Sequence, residues 1–254
     1  MKRFIAVLLI ALLLGLCACV KQEENLVEDL DAIREEGILR IGVTQSPPFA
    51  AGKEAQWEGF DIALVEKLCR ELDLEAKVVE LNWGERWEAL EDRTVDCLMG
   101  GLSATDDLLA QVDLTETYLV SYPVLVSLSS DEADFQGARI AVESDSAGEL
   151  AVEMRLEGAQ TLPASSQLEA LKLVADGKAK AAVVDHLIAL AVQEELGLVI
   201  LEKIDLGVEE LTIALRKGSD LTDEINDALR ELHSLGVLEE LAQDYGLTEG
   251  LIQG

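Results

Sequence analysis

The chain has 254 residues, with 50 acidic and 20 basic side chains and a formal net charge of −30. A surface this acidic repels nucleic acid, so this composition excludes a nucleic-acid-binding protein. The chain is too long for most single hydrophobic cores, but its length suits two lobes of roughly 100 residues each.

The N-terminal segment has the features of an export signal. Lys2 and Arg3 precede an unbroken apolar run at 4–16, which is shorter than the about 20 residues that span a membrane. The run leads into the letters LCAC, in which a small alanine precedes Cys19 as in the lipobox of bacterial lipoproteins. We therefore expect a signal peptide at 1–19, lipidation of Cys19 and an extracytoplasmic protein anchored to the cell membrane. A plain cleaved signal and an uncleaved anchor are the alternatives.

Strand and helix patterns alternate in the first half of the chain after a polar tether at 20–30. This alternation is typical of lobes built from βαβ units. The apolar spacing predicts strands at 38–43, 76–81 and 95–101, and helices at 59–74, near 87–90 and at 104–111.

The same alternation restarts after a long β-rich run at 118–128, which we interpret as a strand that crosses between lobes. A second crossing strand is predicted at 209–218 and two amphipathic helices follow it. Strands are predicted at 139–143, 160–162, 181–185 and 198–201, and helices at 147–157, 166–176, 186–196, 220–234 and 237–245.

Two α/β lobes joined by two crossing strands predict a hinged clamshell, with a ligand cleft at the carboxyl ends of the strands. We place the first lobe at 31–120 plus 206–254 and the second lobe at 121–205.

Two cysteines remain beyond the export signal. Cys69 and Cys97 both lie among apolar residues, which favours buried free thiols; a single disulfide is the alternative in an exported protein. Two cysteines and the distant His186 and His233 do not make a metal site. The sequence also has no Ser/His/Asp constellation, phosphate-binding loop or zinc motif, so we expect no cofactor, no metal and no enzymatic activity.

Four segments carry a resemblance to a known family. The sequence GFDIALVEKLCREL at 59–72 resembles the signature of the family 3 extracellular solute-binding proteins, which are receptors for polar amino acids in ABC transporters. The segments at 46–49, 96–108 and 168–185 follow the family's order. The resemblance implies a two-lobed, type II periplasmic-binding-protein-like fold, a small polar solute as ligand, an ABC permease as partner and a monomeric chain.

The resemblance also implies a set of ligand-binding residues. Asp185 lies where the family's carboxylate binds the ligand's α-ammonium group, a pairing worth roughly 1.5–3 kcal/mol; a helix-cap or surface aspartate is the other interpretation. Two glycines lie where the backbone approaches the ligand, and turn geometry alone would also explain them. The full implied set is Ser46, Phe49, Trp83, Gly100, Gly101, Ser103, Ser146 and Asp185.

One position departs from the family's pattern. Leu108 stands where the family usually has an arginine that forks to the ligand's α-carboxylate. Losing one member of a buried charge pair typically costs about 2–5 kcal/mol. Asp106, Asp107 and Asp145 add negative charge nearby, which favours a ligand with positive charge. Arg86 is a candidate replacement cation; an exposed arginine at a helix start is the alternative.

The expected function is therefore the extracytoplasmic substrate-binding component of an ABC importer for amino acids or related small polar solutes. A sensory or degenerate module without tight amino-acid binding is the first alternative, because the arginine is missing. A cleft enzyme of the dehydratase type on the same scaffold is the second.

Overall fold

In the computed structural model, the predicted signal peptide, Cys19 and most of the predicted tether lie outside the described residues. For residues 101–103, 106–107 and 202–203 only the backbone is described. The described ranges are 28–53, 56–103, 106–131, 134–203 and 208–252.

The strands of the first sheet are β1 Ile38–Val43, β4 Glu75–Glu80, β5 Cys97–Ser103, β6 Val112–Leu114, β7 Leu119–Ser121 and β13 Glu209–Arg216. Their order in the sheet is β4-β1-β5-β13-β6, and β7 pairs with the first residues of β13. Strands β4 and β5 run parallel to β1, whereas β13 is antiparallel to β5, β6 and β7. Two further strands, β2 Ala51–Lys53 and β3 Gln56–Glu58, form a separate hairpin.

Helices cover this first sheet and connect its strands. They are α1 Leu30–Glu36, α2 Phe60–Glu71, α3 Arg86–Glu91, the single turn α4 Asp106–Leu109, α8 Leu221–Ser234 and α9 Val237–Asp244, with 3₁₀ turns at Trp83–Glu85 and Thr248–Gly250. The helix predicted at 104–111 is thus much shorter than expected.

The strands of the second sheet are β8 Pro123–Ser127, β9 Arg139–Glu143, β10 Gln160–Ala164, β11 Ala181–Asp185 and β12 Val199–Lys203. Their order is β10-β9-β11-β8-β12, and β8 and β12 run antiparallel to each other. The helices of this half are α5 Ala147–Arg155, α6 Gln167–Ala175 and α7 His186–Leu196.

The chain crosses from the first sheet to the second around Tyr122. The predicted crossing strand at 118–128 is divided there: β7 ends at Ser121 in the first sheet and β8 begins at Pro123 in the second. The chain returns between β12 and β13. This arrangement confirms the predicted two-sheet α/β fold class, whereas the residue limits of the two lobes stay a prediction.

Sequence features at helix starts explain much of the local structure. The pattern Ser-x-x-Glu opens both α5 and α6: the Ser146 hydroxyl accepts from the Glu149 amide at 3.2 Å, and the Ser166 hydroxyl accepts from the Glu169 amide at 3.1 Å. Helix α2 starts instead at Gly59, where φ is +130° and a Cβ atom would lie 2.2 Å from a backbone oxygen. Only glycine fits there, which explains why the signature motif begins with one.

Both cysteines are buried free thiols, which confirms the first of the two expectations. Burial raises the pKa of the Cys69 thiol to about 12 and raises the pKa of Cys97 as well. These thiols therefore act as small apolar core residues.

Candidate ligand-binding cleft

A cavity of about 620 Å³ lies between the two sheets and is lined by residues from both. The second sheet contributes the carboxyl ends of β9 and β11 and the start of α5, which is where open α/β sheets bind ligands. The first sheet contributes α3, the turn before it and Leu108. The cavity thus occupies the place that the sequence predicts for a cleft.

Asp185 is the central polar group of the wall from the second sheet. It ends β11 and caps α7, since its Oδ1 accepts from the Leu187 amide at 2.8 Å and from the Ile188 amide at 3.2 Å. Its Oδ2 is buried and, within the described part of the chain, has no partner in hydrogen-bonding geometry. Burial raises the pKa of Asp185 to about 6, although the two amides and the nearby Ser121 hydroxyl lower it. The helix-cap interpretation of Asp185 is therefore confirmed, whereas ligand binding by its other oxygen stays a prediction.

Glu143 is a second buried carboxyl group in the same wall. Burial raises its pKa to about 7, while Arg86 and Gln167 lower it. Asp145, two residues later, is exposed and has a positive φ of 56°. The wall from the second sheet is therefore acidic.

Ser146 also lines the cavity, but its hydroxyl proton is already used. The hydroxyl donates to the Glu143 carbonyl at 2.7 Å while it caps α5. A hydroxyl has one proton, so Ser146 can accept from a ligand but cannot donate to one while it makes this contact.

Arg86 dominates the wall from the first sheet. Its guanidinium lies 4.4 Å from the ring centroid of Trp83 and 4.6 Å from that of Trp87, a cation–π arrangement. Nη1 donates to the Trp83 carbonyl at 2.6 Å, and Nη2 lies 3.4 Å from the Asp145 carbonyl across the cavity. The residue is only 6% exposed, so the expectation of an exposed arginine was wrong.

The charge state of Arg86 reflects its surroundings. Burial lowers the pKa of its guanidinium, and the carboxylates of Asp145 and Glu143 raise it. Because arginine starts from a very high pKa, it stays a cation. The cavity therefore has a fixed positive charge in one wall opposite an acidic wall.

The structure brings together only part of the predicted site. Trp83, Ser146 and Asp185 line the cavity, and Leu108 lies in its wall as well. Phe49 is 1% exposed in the hydrophobic core, so its ring cannot cover a ligand.

The remaining predicted residues lie elsewhere or are described in part. Ser46 is buried outside the cavity wall and donates to the Thr44 carbonyl at 3.2 Å. Gly100 is likewise not among the described lining residues, although a Cβ there would lie 3.9 Å from the Trp83 ring. Only the backbone is described for Gly101 and Ser103, both in β5.

Trp87 and Gln167 are among the lining residues that the sequence did not predict. For Trp87, the spacing Trp83-x-x-Arg86-Trp87 is the signal that would have found it. Residues i and i+3 share one helical face, so an arginine with tryptophans at −3 and +1 can be enclosed by both rings. Gln167 gave no such signal; its side chain accepts from the Asp185 amide at 2.6 Å, a contact made only in the folded chain.

Comparison with known proteins places this cavity in a family context. Residues 39–248 match the family of bacterial extracellular solute-binding proteins, family 3. The chain is 23% identical to the L-cystine-binding protein TcyJ of Escherichia coli K12, over 96% of this chain and 94% of that protein. It is 26% identical to a cyclohexadienyl dehydratase of Pseudomonas aeruginosa, over 61% of this chain and 62% of the enzyme.

The fold has close structural counterparts as well. The P235GK mutant of the T. maritima protein ArgBP superposes with a TM-score of 0.77 at 27% identity, over 85% of this chain and 98% of that one.

Proposed function

Since the chain belongs to the family 3 bacterial extracellular solute-binding proteins, we propose that it is the substrate-binding component of an ABC importer for amino acids. The ligand is held in the cavity between the two sheets. L-cystine-binding and ArgBP proteins among its relatives support this class of ligand.

The state of Asp185 is the observation that carries the proposal. A buried carboxylate oxygen without a partner is costly, and Asp185 lines a cavity large enough for an amino acid. A ligand ammonium group would supply the missing donor and a compensating charge. The helix cap fixes the position of this carboxylate, so it is already oriented before a ligand arrives.

The charges of the cavity wall favour a neutral or cationic amino acid. Among the lining residues that the structure describes, Arg86 is the one cation, against Glu143, Asp145, Asp185 and Glu209. An acidic side chain would add to this excess of negative charge. We therefore expect lysine, arginine or histidine to bind better than glutamate or aspartate.

Binding without a chemical step is the function that we propose, although one relative is a dehydratase. Glu143 has a raised pKa of about 7, as a general acid would need. Burial alone accounts for that shift, however, and Glu143 also lies opposite Arg86, whose charge it helps to balance. Recovery of an unchanged ligand after prolonged incubation would support binding alone, whereas its conversion would show an enzyme.

The proposed location follows from the family and from the N-terminal sequence. The family is extracellular by its description, and we propose that Cys19 carries the lipid that tethers the mature chain beside its permease. In the part of the chain that the structure describes, no helix combines the length and apolarity that crossing a bilayer requires.

The proposal is tested by calorimetric titration of the purified protein with the 20 L-amino acids. We expect a basic amino acid to bind most tightly, and Asp185→Asn to weaken it by about tenfold to a hundredfold, the value of one charge-assisted pair. Asparagine caps helices as well as aspartate does, so the melting temperature without ligand should barely move. Asp176→Asn, at an exposed position paired with Lys178, is the matched control. Glutamate as the tightest ligand, or unchanged affinity in Asp185→Asn, would contradict the proposal.

A further inference from the structure

We infer that Arg86 binds the carboxylate of the ligand, in the role that Leu108 leaves vacant. This inference rests on the proposed function, because it assigns the second anchor of the same cavity. The ligand then spans the cavity, with its carboxylate on α3 and its ammonium group on Asp185 at the end of β11.

One edge of the Arg86 guanidinium has hydrogen-bonding capacity that the described residues leave largely unused. Trp83 and Trp87 lie against it at 4.4 and 4.6 Å and cover its faces. Nη1 is occupied by the Trp83 carbonyl at 2.6 Å. On the other edge, Nε is buried and has no hydrogen-bond partner in the described structure. Nη2 on the same edge makes one contact, a long hydrogen bond of 3.4 Å to the Asp145 carbonyl. Two parallel N–H groups on one edge are the geometry that binds a carboxylate bidentately.

The protein itself does not neutralise this cation at contact distance. In the described ranges no carboxylate oxygen forms an ion pair with Arg86 within 4.0 Å, although Glu143 and Asp145 act on its pKa from farther away. A buried cation without an ion-pair partner lowers stability. A ligand carboxylate on the Nε–Nη2 edge would provide the partner.

The start of α5 near that edge also favours an anion. The contact to the Asp145 carbonyl places Nη2 just before the start of α5, where the first-turn amides of Ala147 and Gly148 have no acceptor within the helix. Both residues line the cavity. An anion at the Arg86 edge would therefore also meet the positive end of a helix dipole.

The experiment compares amino acids with their decarboxylated amines. L-arginine with agmatine, L-lysine with cadaverine and L-histidine with histamine keep the cationic ends and differ in the carboxylate. For the tightest amino acid of the three, we expect Arg86→Gln to weaken binding by about tenfold to a hundredfold. Binding of the matching amine should change by less than twofold.

Two further variants keep the test decisive. Arg34→Gln removes an exposed arginine that pairs with Glu224, and both affinities should stay at wild-type values. In the double variant Arg86→Gln/Leu108→Arg, the new arginine supplies a guanidinium from α4. The preference for the amino acid over its amine should then reappear.

The outcomes separate this inference from the proposed function. Equal weakening of amino acid and amine in Arg86→Gln, with the melting temperature kept, overturns the role of Arg86 and leaves the proposed function standing. Wild-type protein that binds none of these amino acids overturns the proposed function and the inference together. Selective loss of the carboxylate-bearing ligand supports both.

Discussion

Two groups of buried charges differ in how the protein pairs them. In the first, fully buried Asp29 has a cation at each oxygen: Arg93 at 2.8 Å and Arg216 at 2.9 Å. In the second, around the cavity, Arg86 and Asp185 form no ion pair within 4.0 Å in the described part of the chain.

This difference indicates two purposes. The Asp29 group ties the segment before α1 to the end of β13 and to the loop that contains Arg93, so its charges stabilise the fold through each other. The cavity charges lower stability until something pairs with them. In the function that we propose, the ligand is the group that pairs with them.

The largest expected loss of stability follows removal of the Asp29 carboxylate from the paired group. Asp29→Asn removes the nearer of the two carboxylates that pair with buried Arg216 and leaves Asp96 at 3.6 Å. It should lower the free energy of unfolding by about 3 kcal/mol, the lower end of the cost of breaking a buried ion pair. Urea unfolding followed by circular dichroism measures this change. Asp31→Asn, exposed in the first turn of α1, is the control and should stay within about 0.5 kcal/mol of wild type. A loss below about 1 kcal/mol in Asp29→Asn would show that the pairing does not stabilise the fold.

An intermediate effect is expected at Asp61, which is buried without a cation beside it. Tyr118 donates to its Oδ1 at 3.1 Å, while its Oδ2 has no partner in the described ranges. Burial raises its pKa from 3.8 to about 7, with the nearby Asp185 adding to the rise. Because the folded-state pKa is the higher one, its contribution to stability is complete below about pH 4 and is lost as the pH rises through 7.

The variant Asp61→Asn keeps an acceptor for Tyr118 and removes the titration. The stability of wild type relative to this variant should therefore fall by about 2 kcal/mol between pH 5 and pH 7.5. Denaturant unfolding at both pH values measures it, and a pH-independent difference would show that Asp61 is ionised throughout.

The smallest effect on stability is expected at Arg86, because we expect this residue to contribute to ligand binding and little to the stability of the fold. Arg86→Met removes two cation–π contacts and two hydrogen bonds to carbonyl groups, one of them long, but it also removes a buried cation without an ion-pair partner. We expect the free energy of unfolding to stay within about 1 kcal/mol of wild type. A loss as large as that of Asp29→Asn would mean that Arg86 holds the fold together, and the contrast between the two groups would disappear.

The sequence predicted the strands and helices well where the pattern of apolar residues was regular. Strands β1 at Ile38–Val43 and β11 at Ala181–Asp185 occupy the predicted residues, since strand alternation and a continuous apolar run marked them. Helix α2 follows from the spacing of its apolar residues. The split at Tyr122 was not predicted, because β propensity continues through 118–128 and only sheet membership changes there.

The site was predicted less completely, because its chemistry depends on contacts between distant segments. Phe49 was predicted to contact the ligand, but its backbone oxygen accepts from the Asp61 amide at 2.9 Å and its side chain is buried in the hydrophobic core. Arg86 looked exposed in the sequence because its enclosure needs Trp83, Trp87 and the Asp145 loop together. Asp220 is a comparable case outside the site: it precedes α8, yet its carboxylate accepts from the Asp29 and Leu30 amides, both at 2.9 Å, at the start of α1.

A crystal structure of the protein with its tightest-binding amino acid tests the central claim most directly. The account predicts the ligand in the cavity between the sheets, with its ammonium group within hydrogen-bonding distance of Asp185 Oδ2 and its carboxylate on the Nε–Nη2 edge of Arg86. A ligand bound outside this cavity, or one whose ammonium group does not contact Asp185, would contradict it.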